Sequence, residues 1–413
     1  MIFFVEAPLT GSGLSALAWA VAQGIDAALV TTDPAKYRGA VGAEVLPGLA
    51  GRGRLYVVET TEGEAVPAEL LDAAREHTGS GRPGVVCATD RHLLFAAALA
   101  EAIGAPFAPV EAVRTFRDKR RARELYEKLG IPSPRWAEAH TADELRAFAE
   151  DTGRPVVLKN ARGTGSLDVL LCRTPEEAVA AYGTLTAGDL YLGGELMAEE
   201  YVNGPLYSLE TLVTEGQCRH LGVTDRQLGP RPAFCEVSYT FPVRVPERAE
   251  ARMRAAVETL VAATGIAQGM LHTEFILTDG DEAVVVEVNA RTGGGLLSLM
   301  MNDCLTVPVP ELLCSAALGR PVADPRHNGS YSSTVTVYAP RAGRLSRVHG
   351  LAEAGDGPHV VQVVRGAAPG DEVRAAGDYR GAVGQIRTRA GSANLALNAA
   401  LSAARDVVVE VTG

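Results

Sequence analysis

The chain has 413 residues, of which 47% are hydrophobic and 22% are charged, and its formal net charge at pH 7 is −11. This length is too great for one ordinary hydrophobic core and predicts two to four domains, while the composition is typical of a globular protein. The acidic balance argues against nucleic acid or an anionic membrane as the main partner.

Targeting signals and cysteine usage indicate where the protein works. The first apolar stretch is not preceded by the basic region of a signal peptide, and no uncharged apolar run reaches membrane-spanning length. The six cysteines are scattered without a CxxC pair, which is typical of reduced thiols. We therefore expect a cytoplasmic protein.

The first hundred residues alternate predicted strands (2–6, 27–31 and 84–88) with predicted helices (14–23 and 92–103). This alternation predicts a parallel α/β domain that binds ligands near the carboxyl ends of its strands. A Gly11-Ser12-Gly13 turn lacks the third glycine of a dinucleotide fingerprint, because Ala16 stands there. We favour a tight turn beside a substrate pocket over a nucleotide site at this point.

A second unit begins near residue 110 with a charged helix. Asp118 precedes the helix, which runs from Lys119 to Leu129 and stops at Gly130 and the proline-containing segment 131–134. Two capping boxes predict further helix starts. One is Thr141 with Glu144, and the other is Thr174 with Glu177, which opens a predicted helix over 175–182.

Between these helices lies a hairpin that carries Lys159 and a glycine loop. Gly163 and Gly165 lie in the loop, and a second strand is predicted over 167–171. Such a loop can close over phosphates while the lysine reaches them as a point charge, although no Walker A sequence is present. Only four of the 39 basic residues are lysines, namely Lys36, Lys119, Lys128 and Lys159. The alternative for Lys159 is an exposed lysine at a strand end.

The next segment begins with a predicted strand at Leu196. Glu199, Glu200, Tyr201 and Val202 then precede a turn at 203–205. A crossover at this point would leave backbone groups free to hydrogen-bond to the edge of an adenine. Taken alone, the segment favours an ordinary surface hairpin.

A second predicted hairpin carries the acidic residues. Residues 272–277 alternate in polarity and 283–288 form a β-branched run, with a turn between them. Glu287 inside an apolar strand requires a cation, because a buried unpaired carboxylate is costly. Together with Glu274 and Asn289 it offers an all-oxygen ligand set that suits Mg²⁺. The alternative is a half-buried hairpin whose acids face water.

A glycine- and proline-rich stretch between these hairpins contains Arg226, Arg231 and Glu236, which is typical of a binding loop. An arginine can bind a carboxylate through two hydrogen bonds and a glutamate can bind an α-ammonium group, so an amino-acid substrate is natural. The alternative is a solvated loop with incidental charges. His272 is either a satisfied hairpin histidine or a site residue.

The order of these segments resembles the ATP-grasp carboxylate–amine ligases, in particular the bacterial L-amino acid ligases and D-alanine–D-alanine ligase. The matching segment runs from Asp118 through Gly295, and its strongest motif is HTEF, a thirteen-residue step from Glu274 to Glu287, and then EVNAR. The resemblance implies an α/β and α+β fold with four parts. These are a Rossmann-like preATP-grasp domain (1–110), a small subdomain with the glycine loop (111–195), a central domain with the metal site (196–318) and a small β-rich C-terminal domain (319–413).

The C-terminal part is predicted to contain strands over 332–338, 360–364 and 407–411 and a helix over 392–406. It resembles the small domain appended to some ATP-grasp ligases and to biotin carboxylase. Completion of the site wall and formation of a homodimer interface are both open roles for it.

The resemblance also assigns roles to residues around ATP. The phosphate contacts are Lys119, the catalytic Lys159, Gly163, Gly165 and Ser166, and the adenine hinge is Glu199, Glu200, Tyr201 and Val202. Many members of the family place an acid for the ribose hydroxyls where this chain has Leu206. We assign that contact to Glu210, four residues further on.

The remaining roles concern metal and substrate. Glu274, Glu287 and Asn289 are the implied ligands of two Mg²⁺ ions, with Mn²⁺ as a substitute. The catalytic Arg291, together with Gly294 and Gly295, faces the acyl phosphate and the substrate carboxylate. The other expected substrate contacts are Arg226, Arg231, Glu236 and His272.

In the chemistry that the resemblance implies, a carboxylate attacks the γ-phosphoryl group of ATP and an amine displaces phosphate from the acyl phosphate. Such transfer needs positioning and charge neutralisation, which two metal ions, two lysines and Arg291 supply. The expected product is a dipeptide or γ-glutamyl-type amide of small-molecule amino acids, in specialised metabolite or antibiotic biosynthesis. The alternatives are a carboxylase-like enzyme, an acid–thiol ligase or a non-catalytic ATP-binding scaffold.

Overall fold

A computed structural model describes residues 1–61, 63–77 and 82–413. The described residues form four sheets, of which one is parallel and three are antiparallel. No helix in this described part of the chain is both long and apolar enough to cross a membrane.

The N-terminal elements are β1 (Ile2–Val5), α1 (Gly13–Ala22), β2 (Ala27–Thr31), α2 (Leu46–Gly51), β3 (Leu55–Val57), α3 (Ala68–His77), β4 (Gly84–Val86) and α4 (Leu93–Ile103). The strands form a parallel sheet in the order β3-β2-β1-β4. The predicted alternation of strands and helices is confirmed. The prediction lacks three elements, α2, β3 and α3. Of these, α2 and β3 are too short to show a hydrophobic period.

The next elements are α5 (Val110–Arg117), α6 (Lys119–Leu129), β5 (Trp136–Glu138), α7 (Ala142–Thr152), β6 (Val156–Asn160), β7 (Val169–Cys172), α8 (Pro175–Thr186) and β8 (Leu196–Glu200). The four strands form an antiparallel sheet in the order β5-β8-β6-β7.

The helix caps in this region follow the sequence prediction in part. Thr141 and Glu144 form the expected reciprocal capping box. Thr174 caps α8 by accepting from the N–H of Glu177, but the Glu177 carboxylate accepts from the N–H of Arg173 instead of from the cap residue. The helix α8 also continues past its predicted end at residue 182, because Gly183 does not interrupt it.

The central elements are β9 (Leu206–Thr214), β10 (Gln217–Leu228), β11 (Glu236–Val243), α9 (Glu247–Thr264), β12 (Gln268–Leu277), β13 (Ala283–Asn289), α10 (Leu297–Cys304) and α11 (Val309–Ala317). The predicted hairpin of β12 and β13 is confirmed. The crossover between β8 and β9 carries the predicted hinge segment.

The C-terminal elements are β14 (Tyr331–Tyr338), β15 (Gly343–His349), β16 (Val360–Arg365), β17 (Glu372–Val373), β18 (Ala382–Ala390), α12 (Ala393–Arg405) and β19 (Val408–Thr412). A large antiparallel sheet runs β13-β12-β9-β10-β11-β14-β18-β16, and a small one runs β17-β15-β19. The large sheet crosses residue 318 through the pairing of β11 with β14. The proposed domain limits stay a prediction.

The largest apolar cluster joins the N-terminal sheet to the large sheet. It includes Phe3, Phe95, Phe116 and Phe275, each 5% exposed or less. Burial of this apolar surface fixes the carboxyl edge of the N-terminal sheet against the segment that follows β13. The Gly11-Ser12-Gly13 turn lies at that junction.

Two contacts define the junction. The hydroxyl groups of Ser12 and Thr292 are 2.7 Å apart. A Cβ atom at Gly11 would lie 2.7 Å from the carbonyl oxygen of Gly295, so only glycine permits this close approach. The turn therefore packs directly on the glycine segment after Arg291.

Candidate active site

Two acidic residues face each other on the β12–β13 hairpin. Glu274 is the direct cross-strand partner of Glu287, and His272 is the partner of Asn289. Like charges directly opposite each other on neighbouring strands destabilise a sheet. The pair of carboxylates therefore requires cations nearby.

Lys119 and Arg226 supply positive charge to the two glutamates. The Nζ of Lys119 lies 3.0 Å from a carboxylate oxygen of Glu287 and donates to the carbonyl of Gly163 at 2.6 Å. Arg226 donates to Glu274 at 2.8 Å and also pairs with Glu236. Burial alone would raise the pKa of Glu274, but Arg226 and other neighbouring cations hold it below its usual value.

Lys159 belongs to a second buried charge cluster. Its Nζ lies 2.6 Å from one oxygen of Glu199, and Arg123 lies 2.8 Å from the other. Burial lowers the pKa of Lys159 to about 8, despite the opposing effect of Glu199. The predicted hinge residue Glu199 thus contributes a buried side chain to the site, while its backbone lies within β8 between β5 and β6.

Arg123 is a site residue that the sequence prediction lacks. It is 1% exposed and also donates to the carbonyl of Val286 at 2.7 Å. A signal for it exists in the sequence, because Lys119, Arg123 and Tyr126 stand at i, i+4 and i+7 and so share one face of α6. All three are buried.

One cavity of about 130 Å³ brings most of the predicted residues together. Thirteen of them line it, namely Lys119, Lys159, Gly163, Gly165, Ser166, Glu199, Glu200, Tyr201, Val202, Arg231, Glu236, Glu274 and Glu287. The apolar part of the lining includes Val157, Val169, Leu206, Leu228 and Ile276. A cavity with apolar side chains and convergent charges is typical of a nucleotide site.

Arg231 lies on the hinge side of the cavity. Its guanidinium group is 4.1 Å from the ring centre of Phe234 and 5.7 Å from that of Tyr201. The sequence interpretation grouped it with Arg226 and Glu236 around the amino-acid substrate, and that role stays a prediction. Stacking on the two rings holds the guanidinium group at the hinge side.

Glu210 does not suit the ribose contact assigned to it. Its side chain is fully buried and accepts hydrogen bonds from Ser208 at 2.7 Å and Thr224 at 3.0 Å, and it pairs with His272 at 2.8 Å. It is also not among the residues that line the cavity. The alternation of side chains along β9 directs Glu210 toward His272.

His272 connects Glu210 to the metal-site residues. Its Nδ1 faces Glu210, while its Nε2 lies beside Arg226 and 3.4 Å from Glu274. Burial and Arg226 lower the pKa of His272, but Glu210 outweighs them and raises it to about 9. His272 therefore links the buried Glu210 to Glu274 and Arg226.

Arg291 forms a two-point ion pair with Asp90 of the N-terminal domain. Its Nε donates to Asp90 at 2.7 Å, its Nη2 bonds the second oxygen, and Asn289 accepts at 3.3 Å. Arg291 holds the pKa of Asp90 far below its ordinary value, against the effect of burial. The sequence prediction lacks Asp90, although its place after β4 marks the carboxyl edge of a parallel sheet.

The donor set fits Mg²⁺ shared with a substrate. Within the described ranges, no group of three or more His, Cys, Asp or Glu side chains could hold a metal ion without help. The available donors are the carboxylates of Glu274 and Glu287 and the amide oxygen of Asn289, all oxygen ligands. Mg²⁺ commonly takes one or two carboxylates and completes its shell with phosphate oxygens and water, so these residues fit.

Two family models match the chain. Residues 152–299 match an ATP-grasp domain, and residues 335–412 match L-amino acid ligase C-terminal domain 2. Together they cover the glycine loop, the acidic hairpin and most of the C-terminal part.

Curated relatives are distant. An uncharacterized protein of Sinorhizobium fredii is 27% identical over 279 residues, which are 67% of this chain and 57% of that protein. The alanine–anticapsin ligase of Bacillus subtilis is 24% identical over 257 residues, 57% of this chain and 54% of the ligase. The matched segment therefore spans only a little over half the length of these relatives.

A solved structure shows the same fold over the whole chain. The L-amino acid ligase from Bacillus licheniformis matches with a TM-score of 0.78 and 21% identity, covering 100% of this chain and 98% of that one. The predicted ATP-grasp fold, with N- and C-terminal domains around it, is confirmed.

Proposed function

Because the chain carries an ATP-grasp domain followed by an L-amino acid ligase C-terminal domain, we propose that it joins two amino acids through an amide bond at the expense of ATP. The observation that carries the proposal is one cavity in which Lys119, Lys159, Glu274 and Glu287 meet beside an apolar hinge. Cations for phosphates, acids for metal ions and an apolar slot for a base are the groups that ATP requires.

The adenine ring fits the apolar part of the cavity, between residues such as Val157 and Ile276. The backbone N–H groups of Glu200 and Tyr201 already donate to the carbonyls of Arg135 and Pro155, each at 2.8 Å. We assign the N–H of Val202 as the donor to adenine. Arg231 replaces Glu210 in our assignment of the ribose contact at the hinge side.

The triphosphate extends toward the two lysines. Lys119 already donates to the carbonyl of Gly163, so it links the glycine loop to the acidic hairpin. Lys159, held by Glu199, presents a second positive charge to the same cavity. Two fixed cations and the backbone N–H groups of the loop can stabilise charge that moves onto the leaving phosphates.

We assign Mg²⁺ to Glu274, Glu287 and Asn289, with two ions in the active complex and Mn²⁺ as a substitute. When bound, Mg²⁺ neutralises the phosphate oxygens during transfer. Arg226 and Lys119 then serve as second partners of the two glutamates, so a change of the metal content alters these ion pairs.

Arg291 and the glycine segment after it lie against the N-terminal domain. We place the amino acids at this junction. The carboxylate of the first amino acid attacks the γ-phosphorus, giving ADP and an acyl phosphate. The neutral amine of the second attacks the acyl carbon, phosphate leaves with one former carboxylate oxygen, and the amine loses a proton. Arg291 and the N–H groups of Gly294 and Gly295 hold the charged oxygens, and Glu236 binds the α-ammonium group of the first amino acid.

The C-terminal domain favours this activity over a carboxylase-like or acid–thiol reaction, because its match is to the L-amino acid ligases. A non-catalytic ATP-binding scaffold does not need the Asp90–Arg291 pair beside the acyl-transfer position. Specialised metabolite or antibiotic biosynthesis, a cytoplasmic location and a homodimer stay predictions.

The proposal is tested by incubating the purified protein with ATP, Mg²⁺ and amino acids, singly and in all pairs, while measuring ADP, phosphate and product mass. We expect release of ADP and phosphate only with particular pairs, and a product one water lighter than their sum. ATP turnover with bicarbonate or a thiol, but with no amino-acid pair, would favour the alternative acceptors.

A further inference from the structure

The loop between β6 and β7, residues 161–168, has an unusual backbone. Gly165, Ser166 and Asp168 all have positive φ angles, of 60°, 61° and 55°. Such angles are ordinary for glycine but cost energy for serine and aspartate. Contacts from outside the loop must therefore hold it in this conformation.

Hydrogen bonds supply part of that restraint. Thr164 donates to Asp90 of the N-terminal domain at 2.8 Å, and Ser166 donates to the carbonyl of Phe234 at 2.8 Å. Asp168 accepts from the N–H of Tyr191 at 2.9 Å. The loop is thus tied to the N-terminal domain, to the connection between β10 and β11, and to its own subdomain.

A fourth contact comes from the C-terminal domain. The ring of Tyr379 lies on the Cα of Gly165, where a Cβ atom would be 2.6 Å from Cδ1 and 3.1 Å from Cε1 of the ring. Glycine at this position therefore serves two needs, the left-handed backbone and the close approach of an aromatic ring. Neither need is visible from the sequence of the loop alone.

Tyr379 is not an ordinary core residue. The residue is 56% exposed, although it is aromatic. It starts a short 3-10 turn that Asp378 fixes by accepting from the backbone N–H of Arg380 at 2.8 Å and from its guanidinium group at 2.6 Å. A restrained turn thus presents the Cδ1–Cε1 side of the ring to the loop, while much of the residue stays in solvent.

We propose that Tyr379 is a positioning residue through which the C-terminal domain holds the glycine loop closed over the nucleotide. The inference rests on the proposed function, because it takes the phosphates of ATP to lie beneath residues 163–166, which line the cavity. Opening of the loop then requires Gly165 to leave the ring. Binding energy from Tyr379 shifts the loop toward the closed state and so strengthens ATP binding.

Hydrogen exchange of residues 161–168, measured by mass spectrometry without nucleotide, tests the contact directly. Tyr379→Ala removes the ring, whereas Tyr379→Phe keeps it and serves as the matched control. We expect loop exchange about fivefold faster in the alanine variant, the factor that about 1 kcal/mol of lost contact gives, and unchanged exchange in the phenylalanine variant. Equal exchange rates in the wild type and Tyr379→Ala would overturn the proposal.

Kinetics separate positioning from a general structural effect. Tyr379→Ala should raise the KM for ATP about fivefold with kcat nearly unchanged, because saturating ATP closes the loop without the ring. A loss of kcat at saturating ATP, or an altered thermal transition, would contradict the positioning role.

A non-hydrolysable ATP analogue with Mg²⁺ distinguishes failure of the inference from failure of the proposed function. Slower loop exchange in the wild type on addition of the analogue is expected if the phosphates lie beneath the loop. If the wild type does not respond, the nucleotide assignment is wrong, and closure over the nucleotide is wrong with it. If the wild type responds but Tyr379→Ala exchanges like the wild type, only the role of Tyr379 is wrong.

Discussion

Arg291 and Asp90 form a buried two-point ion pair although 201 residues separate them in sequence. Asp90 also accepts a hydrogen bond from Thr164 of the glycine loop. One carboxylate of the N-terminal domain thereby fixes both the arginine next to the acidic hairpin and the loop that covers the cavity. The pair thus connects the N-terminal domain, the glycine loop and the acidic hairpin, which ligation requires to act together.

Removal of this charge should cost stability. Asp90→Asn keeps the shape of the side chain but leaves Arg291 as an uncompensated buried cation, which costs about 3 kcal/mol of unfolding free energy. Denaturant unfolding with Asp225→Asn as the control measures the difference, since burial raises the pKa of Asp225 and its carboxylate accepts hydrogen bonds from Gln227. An Asp90→Asn variant as stable as the control would show that the ion pair contributes little.

Glu287→Gln tests the metal site. The substitution removes one of the two opposed carboxylates and leaves its size unchanged, so we expect loss of ATP turnover with an intact fold. The exposed Glu282 lies in the turn of the same hairpin and provides the control variant Glu282→Gln. Near wild-type turnover of Glu287→Gln with Mg²⁺, or equal losses in both variants, would contradict the assignment.

Lys159→Ala tests the phosphate contact. We expect a large rise in the KM for ATP, of about tenfold or more, because the variant loses a charge that binds phosphate and leaves Glu199 with Arg123 alone. Lys128→Ala is the natural comparison, since Lys128 is one of the four lysines and is exposed. Unchanged kinetics for ATP in Lys159→Ala would remove Lys159 from the site.

The buried His272–Glu210 pair predicts how stability depends on pH. Because the pKa of His272 is raised from 6.5 to about 9, its contribution is complete below pH 6.5 and is lost as the pH rises through 9. The raised pKa corresponds to about 3 kcal/mol. Unfolding free energies between pH 6 and 10 should therefore fall in the wild type more steeply than in His272→Gln. Parallel profiles for the two proteins would show that His272 does not titrate in this range.

The sequence predicted the parts of the site that depend on local pattern. Glu274 and Glu287 stand on two predicted strands joined by a turn. The turn alone would place Val286 opposite Glu274, and a bulge between Glu274 and Phe275 shifts the pairing to Glu287. Lys159 at the end of a predicted strand, and the glycines of the loop after it, were also predicted from local pattern. Each of these residues lines the cavity.

The parts that the sequence did not predict depend on contacts between distant segments. Asp90 contacts Arg291, 201 positions away, and Tyr379 contacts Gly165, 214 positions away. No local pattern encodes such pairs. The strand β18 was hidden for a related reason, since its arginines and glycine obscure the apolar alternation, although Val383 and Ile386 are fully buried. Tertiary packing decides such elements.

The measurement that tests the central claim most directly follows an oxygen atom. The protein is supplied with ATP, Mg²⁺ and the reactive pair of amino acids, with the carboxylate of the first labelled with ¹⁸O. Attack of that carboxylate on the γ-phosphoryl group predicts one ¹⁸O atom in the released phosphate for each amide formed. Unlabelled phosphate, or label recovered in AMP, would contradict the acyl-phosphate mechanism.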